Sequence, residues 1–342
     1  MNKCTACGTR PAARVLSLCP DCLRITERAD LLLQSHMDSR RKFGLPGRPP
    51  LSSMSTRCRQ CANECRPEPE ELGYCGLRLN RGGRLVSVES PPVALAHIYL
   101  DPLPTNCCAA WFCKGSKERG YNLAVFFYGC SFDCLFCQNS SHKRLGEAPR
   151  LTETQIVSAA LAPEVRCVCF FGGSPEPHLP FAIRVSRRII RLSGNSKRIC
   201  WEWNGSGHPV LVRKAAELAS ASGGTVKFDL KTSSSRLSLA LCGVENRRTY
   251  ENFSLLAQLF PRNDLLTATT LLVPYYIDAR EVGEIARFIA RLDPDIPYSL
   301  LVFHPDYLMT DLPVTPRGQV DECFAEASRY LSRVNVGNLH LL

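Results

Sequence analysis

"FFYGCSFDCLFCQNSS", residues 126–141, places Cys130, Cys134 and Cys137 within eight positions of one another. The loop follows "NLAVFFYG", an apolar run rich in aromatic and β-branched residues that reads as a buried strand. A metal centre with three protein ligands keeps one coordination position for water or substrate, whereas a structural centre closes all of them. Two ligand sets obey that logic here. Three thiolates on a 4Fe–4S cluster leave one iron open; zinc would instead take the three cysteines and His142, five residues beyond Cys137. The loop alone leaves both readings standing.

Downstream, short apolar runs alternate with amphipathic segments. "NLAVFFYG", "VRCVCFF", "RICWEW", "TVKFDL", "LLTATTLLV" and "PYSLLVF" have the nearly continuous apolar character of strands covered on both faces. Between them lie "TETQIVSAALA", "LPFAIRVSRRIIRLS", "HPVLVRKAAELASA", "RTYENFSLLAQLF" and "DAREVGEIARFIARL". The last opens on Asp278 as a candidate cap and repeats Val282, Ile285 and Ile289 on one face. Strand–helix alternation implies parallel strands with helical crossovers, so the expected fold is α/β, a partial (β/α)6 TIM-like barrel over residues 120–310. Residues 311–342 are expected to add a helix and tail. In parallel barrels reactive groups gather at the C-terminal ends of strands. The cysteine loop, "GGSPEP", "EWNG", "DLK" and "FHP" all fall at such ends.

The N-terminal part reads as a zinc-ribbon-like, cysteine-rich extension. Cys4, Cys7, Cys19 and Cys22 are spaced C-x2-C-x11-C-x2-C, two knuckles that can wrap one tetrahedral zinc over residues 1–35. A basic, Pro/Gly-bearing stretch, residues 36–57, reads as a linker. Cys58, Cys61, Cys65 and Cys75 then form a C-x2-C-x3-C-x9-C set in a module over residues 58–119; spacing leaves zinc and a second iron–sulfur cluster both open. Cys167, Cys169, Cys200 and Cys242 lie in or beside apolar runs and read as core. Cys107, Cys108 and Cys113 either supply a ligand to a neighbouring site or shape the mouth of the barrel.

Composition bounds these readings. Nineteen cysteines, an odd number in close pairs and with no apolar signal segment ahead of them, favour metal ligation in a reducing compartment. No apolar run reaches the roughly 18–20 residues of a spanning helix, so the expectation is a cytoplasmic chain with no membrane partner. The net charge is +10, and residues 1–60 hold eleven Lys and Arg against four Asp and Glu. That fits either an RNA or acidic-partner surface or a solvated lead segment.

C-x3-C-x2-C after a first barrel strand resembles the signature of radical S-adenosylmethionine (radical SAM) enzymes. The succession "FDLK", "ALCGVENRRTYENF", "LLVP", "LLVFH" is similar, more narrowly, to the branch that includes the pyruvate formate-lyase activating enzyme. The resemblance implies a 4Fe–4S cluster on Cys130, Cys134 and Cys137, and S-adenosylmethionine chelated to the fourth iron. It implies cofactor contacts from Asn139, from the glycine turn Gly172–Gly173, and from Glu202, Asp229, Lys231 and His304. It also implies a ferredoxin or flavodoxin electron donor and hydrogen abstraction from a substrate, a glycyl-radical enzyme or other protein among the candidates. Two departures stand out: Ser174 replaces the acidic third residue of the glycine turn, with Glu176 two positions on, and Trp203 takes a small-residue position before Asn204. Two rivals belong to other classes: a zinc-binding adaptor or nucleic-acid-binding protein with all three cysteine groups on zinc, and an electron-transfer iron–sulfur protein. Neither calls for an adenosyl-sized ring of strand-end residues.

Overall fold

The computed structural model describes residues 1–89, 93–104, 107–261 and 264–342. The N-terminal segment folds as a hairpin, β1 (Asn2–Lys3) and β2 (Pro11–Ala12), followed by helices α1 (Pro20–Ile25) and α2 (Ala29–Arg41). A second hairpin, β3 (Arg78–Arg81) and β4 (Arg84–Ser87), closes the next cysteine-rich stretch. The sheet that organises the molecule comprises β5 (Val93–Pro102), β6 (Tyr121–Phe127), β7 (Arg150–Thr152), β8 (Val165–Gly172), β9 (Arg198–Trp203), β10 (Val226–Asp229), β11 (Leu266–Leu272), β12 (Tyr298–Val302) and β13 (Val334–Gly337). Its order is β13-β12-β11-β10-β9-β8-β6-β5-β7.

From β6 to β13 all neighbours pair in parallel, whereas β5 runs antiparallel to both β6 and β7. The six strands expected from the sequence therefore form an open barrel, with β13 as a further parallel strand at one edge. The crossovers are α3 (Glu153–Ala160), α4 (Leu179–Leu192), α5 (Pro209–Ala221), α6 (Ser235–Cys242), α7 (Arg247–Leu259), α8 (Ala279–Leu292) and α9 (Arg317–Ser328). They form where the apolar period changes from continuous to helical. In α8, Val282, Ile285, Ala286 and Ile289 are buried on one face, and the Asp278 side chain accepts the Glu281 N–H at 3.0 Å as its N-cap. In α3 Thr152 and Gln155 complete a reciprocal capping box.

The first cysteine module is fastened to this body. Tyr276 Oη accepts the Ala13 N–H at 2.9 Å and donates to the Leu18 carbonyl at 3.0 Å. Arg24 pairs with the buried Glu281 at 3.0 Å. Helix α2 runs through residue 36, where the sequence suggested a linker would begin, because His36 and Arg40 are buried against the body of the protein. The second module is joined just as closely: Asn63 donates to the Ser131 carbonyl at 2.7 Å, and the His208 N–H donates to the Gln60 carbonyl at 2.9 Å. No described helix is long and apolar enough to cross a membrane.

Candidate active site

Strand β6 delivers the cysteine loop to the C-terminal end of the sheet. Cys130 and Cys134 are buried and Cys137 half-buried. Cys130 Sγ lies 3.2 Å from the Gly173 carbonyl and accepts the Phe132 N–H at 3.3 Å. The loop is held from below by α6, since the Asp133 and Leu135 N–H groups donate to the Cys242 and Leu241 carbonyls at 2.8 and 2.9 Å.

Cys130, Cys134, Cys137, Asn139, Gly172, Gly173, Glu202, Asp229 and Lys231 line one cavity, together with His142, Trp203, Asn204 and Thr269, around about 930 Å³ of space open to solvent. His304 follows β12 as an exposed residue and is not part of this lining. The glycine turn has a steric cause. Gly172 has φ +110°, and a Cβ on Gly173 would stand 2.3 Å from the Gly129 carbonyl oxygen, next to Cys130. Asn139 reaches across to the Gly172 carbonyl at 3.4 Å.

Charge is arranged around the cavity in fixed pairs. Lys231 Nζ lies 2.8 Å from Asp229 Oδ2. Burial alone would lower the Lys231 ammonium, but Asp229 and the Cys134 and Cys242 sulfurs outweigh it and hold it well above the ordinary lysine range. Glu202 Oε2 pairs with Lys227 Nζ at 2.9 Å. Burial, reinforced by the Lys143 ammonium, pushes His142 down to about 3, so it is neutral. Its Nδ1 and the Trp203 indole nitrogen are buried without partners.

Ser174 and Glu176, where the glycine turn departs from its usual pattern, form a second tier. The Ser174 hydroxyl donates to Glu176 and accepts from Asn204 Nδ2 at 3.0 Å. Burial raises Glu176 to about 7 against the opposing pull of the Ser174 hydroxyl. Asn204 also reaches Ser131 Oγ at 2.8 Å, which ties the third strand end to the cysteine loop. The sequence reading did not single out Asn204, Thr269 or Lys227 as site residues; the strand-end position of Asn204 in "EWNG" was the signal for it.

Below the cavity the barrel interior is rich in thiols. Lys227 Nζ lies 3.4 Å from Cys169 Sγ and 3.6 Å from Cys107 Sγ, and Thr269 donates to Cys108 Sγ at 3.5 Å. Cys107 and Cys108 are thus held against Lys227 and Thr269, on strands that carry the site.

The cysteine sets differ in size. Among the described residues, Cys4, Cys7, Cys19 and Cys22 form the group whose ligand atoms all lie within 4.8 Å of one another, and Cys7 and Cys19 sulfurs are 3.9 Å apart. A tetrahedral zinc with Zn–S near 2.3 Å sets sulfurs about 3.8 Å apart, so this set fits one zinc ion. Neither Cys130, Cys134 and Cys137 with His142, nor Cys58, Cys61, Cys65 and Cys75, forms so tight a group. An iron–sulfur cube, which places its own sulfides between the cysteines, suits the wider loop. The glycine turn and the unpartnered nitrogens of His142 and Trp203 suit a polar ligand beside it.

Residues 124–289 match the Radical SAM superfamily model. The isethionate sulfite-lyase activating enzyme of Desulfovibrio desulfuricans is 34% identical over 263 residues, covering 74% of this chain and 76% of that protein. An uncharacterised protein of Methanocaldococcus jannaschii is 24% identical over 272 residues, 78% of this chain and 76% of that one. Among solved structures, a domain of a pyruvate-formate lyase-activating enzyme from Bacteroides vulgatus aligns with 50% of this chain and 98% of its own at TM-score 0.41 and 19% identity.

Proposed function

The chain belongs to the radical SAM superfamily, and on that premise we propose that it is an activating-type enzyme whose substrate is a protein. In this reading Cys130, Cys134 and Cys137 hold a 4Fe–4S cluster, and Asn139, Gly172, Gly173, Glu202, Asp229 and Lys231 hold S-adenosylmethionine. When bound, cluster and cofactor together would supply reductive sulfonium cleavage and the removal of a hydrogen atom from the substrate. Ferredoxin or flavodoxin is the electron donor. The chain's own work is positioning and shielding. The glycine turn admits a ligand backbone-close, the Asp229–Lys231 and Glu202–Lys227 pairs present fixed charges, and Phe136, Phe171 and Trp203 keep water from the walls. Cys4, Cys7, Cys19 and Cys22 hold a structural zinc.

The observation that carries this reading is the convergence of the cysteine loop, glycine turn, Glu202 and Asp229–Lys231 on one cavity. A protein target is favoured over a small molecule by the similarity to an activating enzyme. The test is isotopic. A candidate glycyl-radical partner labelled with α-deuterated glycine is incubated anaerobically with the enzyme and S-adenosylmethionine. Deuterium appearing in 5′-deoxyadenosine, with a glycyl radical in the partner, is expected. Turnover that yields only undeuterated 5′-deoxyadenosine, with no glycyl radical in the partner, would contradict it.

A further inference from the structure

The second cysteine set encloses a cavity of its own. Cys58, Cys61, Cys65 and Cys75 all line one small cavity, with Gln60 and Arg78 also in its walls. We propose that this cavity holds a second 4Fe–4S cluster and passes electrons to the one on Cys130, Cys134 and Cys137. The proposal rests on the reading of the chain as a reductive S-adenosylmethionine enzyme.

Three observations carry it. The four sulfurs are not gathered within 4.8 Å as those of the first module are, although all four face one enclosed space. A single zinc would draw thiolates to about 3.8 Å and leave no room between them. A cube of iron and sulfide, spanned by four cysteines, occupies that room. Second, Arg78 Nε is buried in the cavity wall with no hydrogen-bond partner. A guanidinium N–H left bare is costly, and the bridging sulfides of an anionic cluster would accept it. Third, the cavity adjoins the other centre through a close backbone approach and a hydrogen bond. The Cys75 carbonyl oxygen would stand 3.0 Å from a Cβ on Gly129, the residue before Cys130. Asn63, between Cys61 and Cys65, donates 2.7 Å to the Ser131 carbonyl, the residue after Cys130. Residues of the second module thus meet the cysteine loop on both sides of Cys130.

The step moves one electron and no atoms. A low-potential one-electron carrier protein is oxidised at the Cys58–Cys75 cluster, which becomes reduced. That cluster then returns to its oxidised state by reducing the cluster on Cys130, Cys134 and Cys137.

The decisive variant carries Cys130→Ala, Cys134→Ala and Cys137→Ala, reconstituted anaerobically and desalted. About four iron and four sulfide should remain per chain, with a paramagnetic signal after reduction that S-adenosylmethionine does not alter. Zinc in place of that iron would overturn the assignment. A second variant, Cys58→Ala with Cys75→Ala, should lose about half the iron of the wild type. Its rate of 5′-deoxyadenosine formation with the protein carrier should fall relative to its rate with dithionite. An unchanged ratio would overturn the relay. Should this second variant fail to fold, the iron count of the first still decides the cluster, and freeze-quenched reduction of wild type by the carrier decides the relay: the S-adenosylmethionine-insensitive signal should appear first, and the reverse order would overturn it. Wild-type protein that makes no 5′-deoxyadenosine, beside a first variant that retains its iron, would sink the enzymatic reading and leave the second cluster standing.

Discussion

Asp133, between two of the clustered cysteines, lies 3.0 Å from His36 across ninety-seven residues of chain, and both side chains are fully buried. Lys143 Nζ approaches the other Asp133 oxygen at 2.5 Å and Arg40 at 3.4 Å. The helix that follows the first cysteine module therefore anchors the loop that carries Cys130, Cys134 and Cys137. Removing Asp133 leaves the Lys143 ammonium and the Arg40 guanidinium buried without their carboxylate. Asp133→Leu is expected to destabilise the chain by about 3–5 kcal/mol, measured as a lower urea midpoint with unchanged slope. A cost under about 1 kcal/mol would mean that the network is solvated.

Glu176 makes stability depend on pH. Its folded value is raised to about 7 from 4.5 by burial, so between those values the unfolded chain ionises while the folded chain keeps the proton. The folded state has its full stability below the lower value and loses stability as pH rises through the window. The loss is about 3 kcal/mol and is complete above the folded value. Glu176→Gln should flatten the unfolding free energy over that range. A variant with the wild-type slope there would show that Glu176 is ionised in the folded state.

The glycine turn gives a steric prediction. Gly173→Ala places a methyl 2.3 Å from the Gly129 carbonyl and 2.8 Å from His142 Cγ. The turn must shift, at a cost of about 1–3 kcal/mol, and Gly129 must move with it. Weaker S-adenosylmethionine binding, read by calorimetry on the reconstituted protein, is expected; wild-type affinity would count against the turn as a cofactor contact.

The first cysteine module can be opened without touching the cavity. Cys7 is exposed, so Cys7→Ser opens the first module at its outer edge. Loss of about one zinc per chain is expected, with a lower melting temperature because the module is tied to Tyr276 and Glu281. Full retention of zinc by this variant would place the metal elsewhere.

Much of the barrel was legible because strands buried on both faces leave continuous apolar runs, as "VRCVCFF" does, and because Asp278 and the Val282–Ile285–Ile289 stripe signal a capped helix. The edges were less so. "VALAHIYLDP" pairs antiparallel to β6, and "VNVG" is a four-residue strand whose place depends on α9. At the site, residues at strand ends could be found by position alone. Residues fixed by long-range partners could not: nothing near Asp133 in sequence points to His36, and Lys227 reads as an ordinary strand lysine until Cys107 and Glu202 fold around it. Cys242 reads as core, yet its carbonyl holds the Asp133 N–H at 2.8 Å.

Cys130, Cys134 and Cys137 are expected to hold the cluster at which S-adenosylmethionine is cleaved. The most direct measurement is dithionite-dependent 5′-deoxyadenosine formation by anaerobically reconstituted wild-type protein and by Cys134→Ala, with iron and zinc counted in both. Brown wild-type protein that forms 5′-deoxyadenosine, beside a Cys134→Ala protein that forms none, is the expected result. A colourless, zinc-loaded wild type without turnover, or a Cys134→Ala protein that still cleaves S-adenosylmethionine, would contradict it.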